Sequence, residues 1–331
     1  MRNAVLCLSL LATAIPSFAQ EVGDVVVVIA EEEAELKSGT TTEGTVGRGS
    51  QVTVREVDAD RFYVRWKGVN GWISQEDVLS LDGALEYFTN ELRRNPNARN
   101  YTVQATICRE MGRHGIAIAY YNEAIRLDPT ADKVYSSLGV FWSKNGEYDK
   151  AISNFNEAIR LKPVEPRYYT NRGTAWQSKG ASDKALADLN KAIELEPKLE
   201  LSYYNRGRCW SHQGEYDKAI ADYHEAIRLD SGFVEAHNNV AWILATCLDA
   251  ELRDGKQAVA IATKVCELTD WRKSVHIGTL AAAYAEAGDF KQAVKWQQKA
   301  QSEYSEAMMQ EWGFLLDLYK SGKPYRQKVK D

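Results

Sequence analysis

A chain of 331 residues with 44% hydrophobic and 26% charged residues has enough apolar material for a packed core and lies far from disordered or collagen-like compositions. Its formal charge of −5 arises from intermixed Lys, Arg, Asp and Glu, without the basic stripe that phosphate neutralisation requires. Nucleic acid is therefore not an expected partner.

At the N-terminus Arg2 supplies a positive start, Ala4 to Ile15 an apolar stretch, and Ser17-Phe18-Ala19 a small-residue cleavage site. This is the pattern of a secretory signal over residues 1–19, cut after Ala19. About a dozen apolar residues fall short of the roughly 20 that span a bilayer, and no later segment approaches that length. Cys7 follows Leu6 inside the apolar stretch, without the small residue that precedes a lipid-modified cysteine. The mature chain is expected outside the cytoplasm, periplasmic or secreted, with no membrane span.

Residues 20–81 follow a β pattern. Asp24 to Ala30 is a β-branched run, while Gln51 to Val57 and Phe62 to Trp66 alternate. Arg48-Gly49-Ser50, Asp58-Ala59-Asp60 and Asn70-Gly71 carry turn chemistry, the last as a hairpin signal. A small all-β antiparallel barrel is expected. With Gly71-Trp72-Ile73 following Tyr63-Val64-Arg65-Trp66 and preceding Asp77-Val78, the segment resembles a bacterial SH3-like domain. Its aromatics Phe62, Tyr63, Trp66 and Trp72 alternate in direction, some toward the core and others toward a ligand.

From Asp82 onward the apolar period changes from two to about 3.6, so the domain boundary is expected near residue 82. Residues 82–97 read as a linking helix, half of a repeat unit. Self-comparison then reveals a period of 34: Gly139, Gly173 and Gly207; Trp142, Trp176 and Trp210; Ala117, Ala151, Ala185 and Ala219; Ala124, Ala158, Ala192 and Ala226. Pro129, Pro163 and Pro197 close three of the units. Small residues let paired helices approach, aromatics fill the gaps, and Pro stops the second helix. In the turns Lys144-Asn145-Gly146-Glu147-Tyr148 and His212-Gln213-Gly214-Glu215-Tyr216, Gly provides a left-handed cap. Ser182 replaces the turn tyrosine in the third unit. The tryptophan column is assigned to core packing.

The string Tyr135…Leu138-Gly139…Trp142…Gly146…Tyr148…Ala151…Phe155…Ala158…Pro163 resembles the tetratricopeptide repeat. The fold class is therefore mainly α, a helical-hairpin solenoid preceded by the SH3-like barrel. Six units span residues 98–301, starting at Ala98, Asp132, Pro166, Glu200, Val234 and Ser274. In the fifth, Ala258 falls five residues later than the register from Ala219 requires, with the extra residues in Cys247 to Gly255. That unit, with Ala241-Trp242 and Arg253-Asp254-Gly255-Lys256, resembles a variant found near the ends of exported bacterial tetratricopeptide proteins. Residues 302–331 form a capping helix and tail. Met308, Trp312, Leu315, Leu316 and Tyr319 share one apolar face, and Gly322 and Pro324 stop the helix.

No catalytic constellation emerges. The histidines His114, His212, His224, His237 and His276 form no metal pair and no His-Glu-x-x-His, and are assigned to the surface or a groove. No catalytic residue, cofactor or metal is expected. A column of Asn171, Asn205 and Asn239, again 34 apart, turns away from the core residues. The resemblance places this register in the concave groove, where asparagine grips the backbone amide of an extended peptide; Ser137 and Thr279 flank it. Arg167, Arg208 and Lys133 fall at other groove registers and suit a carboxylate, and Trp242 offers an apolar contact. The carboxylate clamp of chaperone-binding repeats is incomplete, and Arg172 and Arg206 are assigned structural roles.

The resulting expectation is an exported, non-enzymatic scaffold that binds a protein or peptide, with the SH3-like domain as a second or localising contact. The alternatives are a protein that binds cell-wall peptides of peptidoglycan and recruits partners, or an accessory subunit of an envelope enzyme. The cysteines Cys108, Cys209, Cys247 and Cys266 lack the spacing of a disulfide framework or zinc site and are assigned to buried apolar positions. Cys247 ends one helix and Cys266 lies some ~15 Å along its antiparallel neighbour, beyond disulfide reach. An intact mass without a two-hydrogen loss is the expected result, and such a loss would contradict it.

Overall fold

A computed structural model describes residues 25–28, 34–38, 41–46, 51–58, 61–66, 69–74 and 77–327. The signal and its cleavage site, Cys7, the turn at residues 48–50, Ala59-Asp60 and the tail Lys328 to Lys330 lie outside the described residues. The chain divides into two compact units, residues 1–145 and 146–331.

In the first unit seven strands pair antiparallel: β1 (Val25–Val28), β2 (Ala34–Ser38), β3 (Thr41–Val46), β4 (Gln51–Asp58), β5 (Arg61–Trp66), β6 (Val69–Ser74) and β7 (Val78–Ser80). Their order is β3-β2-β6-β5-β4-β1-β7, so β3 and β7 are the margins and the described ladder does not close on itself. Strands β2 and β3 escaped the sequence reading because their alternation is short, with Ala34 and Leu36 inward between exposed Glu35 and Lys37. Leu36, Val54, Phe62, Val64 and Ile73 fill one core with Val28.

One expectation is corrected here. Asn70-Gly71 is not a turn but lies within β6, where Gly71 pairs with Val64 and Trp66 already pairs with Val69. A Cβ on Gly71 would stand 2.8 Å from Cβ of Leu36, so the glycine permits close packing on β2. Strands give way to helices at Leu81. Val27, neighbour of Val28 on β1, packs with Ala84, Phe88 and Ile107 of α1 (Leu81–Arg94) and α2 (Ala98–Glu110). Both faces of β1 are thus covered, which explains its unbroken valine run. The unit ends with α3 (His114–Leu127) and α4 (Asp132–Lys144), which share a core of Cys108, Tyr121, Leu138 and Phe141.

The second unit continues the helical hairpins: α5 (Tyr148–Leu161), α6 (Pro166–Ser178), α7 (Ser182–Leu195), α8 (Glu200–His212), α9 (Tyr216–Leu229), α10 (Val234–Thr246), α11 (Gly255–Leu268), α12 (Ser274–Glu286) and α13 (Phe290–Gln301). Helices α5 and α7 end two residues before Pro163 and Pro197, and Gly180 and Gly214 end α6 and α8 at φ 83° and 81°. Within hairpins the close approach has a specific cause. A Cβ on Gly207 would sit 2.8 Å from the Tyr223 ring, and one on Gly173 would sit 3.0 Å from Leu189. The tryptophans pack against the core as assigned, but from its margin. Trp176 and Trp210 are half-buried, one edge on the core and the ring covered by Lys184 at 4.5 Å and Lys218 at 4.7 Å.

A second 34-residue period joins the hairpins. Arg172 donates two bonds to Asp188 (2.8 and 2.6 Å) and one to Asn156 (2.7 Å). Arg206 does the same with Asp222 (2.8 and 2.7 Å) and Asn190 (2.8 Å). Each guanidinium closes its own hairpin bidentately and reaches back to the preceding one. Both arginines hold the structural role assigned to them, while their partners went unread although Asp188 and Asp222, and Asn156 and Asn190, also stand 34 apart.

The extra residues of the fifth unit form the 247–254 connection. Arg253 donates to the carbonyls of Cys247 (3.0 Å) and Leu248 (2.9 Å) and pairs with Glu286 at 2.9 Å. Asp254 caps α11 through Gln257 N–H at 2.9 Å. A Cβ on Gly255 would meet the Ala287 backbone nitrogen at 2.4 Å, so the loop passes where only glycine fits. The four described cysteines are buried free thiols.

The single capping helix of the sequence reading is two, α14 (Glu306–Trp312) and α15 (Leu315–Lys320), broken at Gly313. There a Cβ would stand 2.4 Å from the Met309 carbonyl oxygen. The break turns Leu315 and Tyr319 into the core and leaves Met308 and Trp312 on a cavity.

Changing Asp222 to Ala removes the carboxylate that neutralises Arg206, whose own exposure is only 23%. A loss of about 3 kcal/mol is expected from urea unfolding, because breaking a largely buried pair strands its partner. A loss under about 0.5 kcal/mol would show that the pair is only a surface contact.

Candidate functional site

The first helices of successive hairpins lie side by side in the second unit, α6 against α8 and α10 against α12. A buried hydroxyl pair, Thr170 with Ser202 at 2.8 Å, joins α6 to α8. The column Asn171, Asn205 and Asn239 runs along these helices, and none of the three is freely solvated. Asn171 and Asn239 are half-buried, and Asn205 is 7% exposed. The Asn205 amide donates to the Leu201 carbonyl at 2.9 Å, and its oxygen accepts from Arg208 at 3.4 Å. Burial pushes the hydroxyls of Tyr204 and Tyr223 above the usual tyrosine range, against a lowering influence of the nearby Asn239 side chain. Arg167 is exposed, and Arg208 lies 5.9 Å from the Tyr204 ring.

Asn205, Arg208, Tyr204 and Asn239 therefore form one polar patch, with Arg208 already oriented by its neighbours. Arg167 and Asn171 stand on the neighbouring helix. Lys133 and Ser137 belong to the first unit and are not part of it.

Farther along the same face is a cavity of about 330 Å³, walled by α8, α10, α12 and the C-terminal segment. Trp242 and Thr279 line it, as do Asn238, Tyr304, Trp312 and Tyr325. The Asn238 side-chain oxygen is buried and has no hydrogen-bond partner, which is costly unless something occupies the cavity. Gly278 opens the floor, since a Cβ there would lie 2.9 Å from the Tyr304 hydroxyl. The Trp242 indole meets Trp312 edge-on at 5.5 Å and Tyr325 at 5.9 Å. Sequence reasoning found Trp242 but not the aromatics opposite it, which are brought there by the break at Gly313.

One histidine, His237, is an exception to the surface or groove assignment. His237 is 9% exposed, with Nε2–H donating to the Ser231 carbonyl at 3.1 Å, and His276 is half-buried with Nδ1 3.3 Å from the Thr269 hydroxyl. Burial lowers both imidazoles below the ordinary value of 6.5. Burial also raises the Cys209 thiol to about 12 and the Cys266 thiol to about 11, so neither is an activated nucleophile. Among the described residues no cluster of three His, Cys, Asp or Glu side chains could hold a metal ion, and no helix is long and apolar enough to cross a membrane.

Comparison with known proteins agrees with this geometry. Models of the tetratricopeptide repeat match residues 98–130, 143–200 and 201–233. The chain therefore contains tetratricopeptide repeats. Among solved structures it is similar to PilW, a widely conserved type IV pilus biogenesis factor, with 18% identity and a TM-score of 0.56 over 65% of this chain and 97% of that one. It is similar also to the APC/C hetero-tetramer Cut9-Hcn1, with 17% identity and a TM-score of 0.62 over 72% of this chain and 46% of that one. At such identities the likeness concerns the fold alone. A comparison with curated proteins returns no match.

The buried histidines set a pH dependence. Their folded-state values lie below 6.5, so on acidification the unfolded chain takes up protons first. The stability from keeping them neutral is complete above pH 6.5 and is lost as pH falls toward the lowered folded values. The melting temperature of the protein is expected to drop between about pH 7 and pH 5, and His237→Gln to reduce that drop. An identical drop in the variant would assign the effect to carboxylates instead.

Proposed function

We propose that this protein is an exported, non-enzymatic scaffold that holds an extended peptide or a peptide segment of a partner protein against α6, α8 and α10. The observation that carries the reading is the repeated asparagine register on one face, joined at Asn205 by a guanidinium that is already oriented. A side-chain amide has donors and an acceptor that complement a peptide group, and Asn171, Asn205 and Asn239 carry it at three successive first helices, Asn205 with one N–H already given to Leu201. Each bond contributes only ~0.5 to 1.5 kcal/mol, so affinity comes from several acting together. Arg208 and Arg167 add a preference for acidic side chains or a carboxylate, and Trp242 an apolar contact.

Export rests on Arg2, the apolar stretch Ala4 to Ile15 and the small residues before Gln20. A second contact on the SH3-like segment, cell-wall peptide included, is supported by the half-buried pair Tyr63 and Trp72, 5.2 Å apart, with Arg61 4.7 Å over the indole. The net charge and the buried thiols and imidazoles favour neither nucleic acid nor catalysis.

Peptides selected from a random displayed library against the purified chain provide the test. Replacing Asn171, Asn205 and Asn239 together by Ala is expected to weaken them at least ten-fold, about 1.4 kcal/mol. Unchanged binding by a variant that still melts cooperatively would sink the groove reading. Asn205→Ala is expected to lower the melting point slightly, because that amide is buried.

A further inference from the structure

Residues 323–327 belong to no helix or strand, yet Pro324 to Gln327 are all half-buried. They lie against α10 and α12, on the face that carries Asn239 and, three residues on, Trp242. The way they are held is that of a peptide ligand. The Gln327 backbone N–H donates to the Thr246 carbonyl at 2.8 Å, and the Trp242 indole N–H donates to the Gln327 side-chain oxygen at 2.9 Å. Arg326 pairs with Glu286 at 2.6 Å, and the Tyr325 ring sits 5.9 Å from Trp242 and 6.1 Å from Trp312. Backbone pairing, an amide contact, a charge pair and an aromatic anchor are thus all supplied by three consecutive residues.

None of these contacts closes a hairpin. The helices around them have their own cores, and Glu286 also holds Arg253 at 2.9 Å through its other carboxylate oxygen. That carboxylate, with its side chain 13% exposed, sets the sign of what can bind, since an uncharged or acidic residue in place of Arg326 would leave it poorly compensated. The segment also walls the 330 Å³ cavity through Tyr325 and Gln327, so its departure would open the cavity to the groove.

We infer that residues 323–327 are a tethered ligand of the fifth and sixth repeats, and that this stretch of groove accepts in trans an extended segment presenting an aromatic residue, a cation and a side-chain amide in succession. The inference rests on the peptide-groove reading above and shares Trp242 with it, its other residues being different. Short tethers give effective concentrations near millimolar, so the bound tail screens the groove against micromolar free peptides. The apparent affinity for a peptide in trans falls by the fraction of time the groove stands empty.

A fluorescein-labelled peptide with the sequence of residues 321–331, followed by anisotropy, tests this on the full chain. The chain carrying Tyr325→Ala and Arg326→Glu is expected to bind the peptide at least ten-fold more tightly than the unaltered chain. Adding Trp242→Ala is expected to abolish the gain. Equal binding by the unaltered and doubly substituted chains, or none by either, overturns the inference. If the double substitution lowers helical content, Arg326→Glu alone carries the same comparison. Asn171→Ala with Asn205→Ala, remote from the tail, is expected to weaken library-selected peptides and leave tail-peptide binding unchanged, so the two readings fail separately.

Discussion

The closeness of two backbones governs the repeat region. Where α8 meets α9, Gly207 lets the Tyr223 ring lie in space that a methyl group would claim, and Gly173 gives Leu189 the same room between α6 and α7. Helices that touch at such points have little freedom to slide or rotate, because packed interiors resist even one added carbon. Directions of the remaining side chains follow. Arg206, beside Gly207, is turned to Asp222 and Asn190, while Arg208 is turned to Asn205 and the Tyr204 ring of its own helix. The face that can meet a partner is therefore a by-product of how each hairpin closes.

The same geometry separates two kinds of polar residue that look alike in sequence. Arg206 and Arg208 are two positions apart, yet one is satisfied bidentately by a carboxylate and the other has one long hydrogen bond to Asn205 and the Tyr204 ring at 5.9 Å. A guanidinium bound on three sides adds rigidity, whereas one bound weakly retains donors for a ligand. Solenoid scaffolds change specificity through such residues without altering the stack.

At the C-terminal end the repeat pattern is bent to another use. The lengthened connection brings Arg253 onto Glu286, and the glycine break after Trp312 swings the last segment back across α10 and α12. A terminal repeat must cover its exposed apolar edge. Here Leu315 and Tyr319 do so, and this leaves Trp312, Tyr325 and Gln327 to occupy the groove face.

Much of this was legible in the sequence, because a 34-residue period records the same local packing several times over. The helix starts at Ala98, Asp132, Pro166, Glu200, Val234 and Ser274, the left-handed glycine in the turn after α8, and the position of the inserted loop all follow from local rules of capping and periodicity. The misread features share one property: their cause lies far away along the chain. Gly71 has the composition of a turn, yet it is glycine because Leu36 is pressed against it; His237 has the composition of a surface residue, yet the hairpins around it exclude water. Asp222 and the Trp242–Gln327 contact likewise owe their state to residues 16 and 85 positions away. Sequence alone determined the repeat and the register of its faces, since those depend on neighbours within a turn or two of helix. Tertiary structure alone decided which polar groups are already satisfied and which face is already occupied, since burial and pairing depend on what the folded chain brings near.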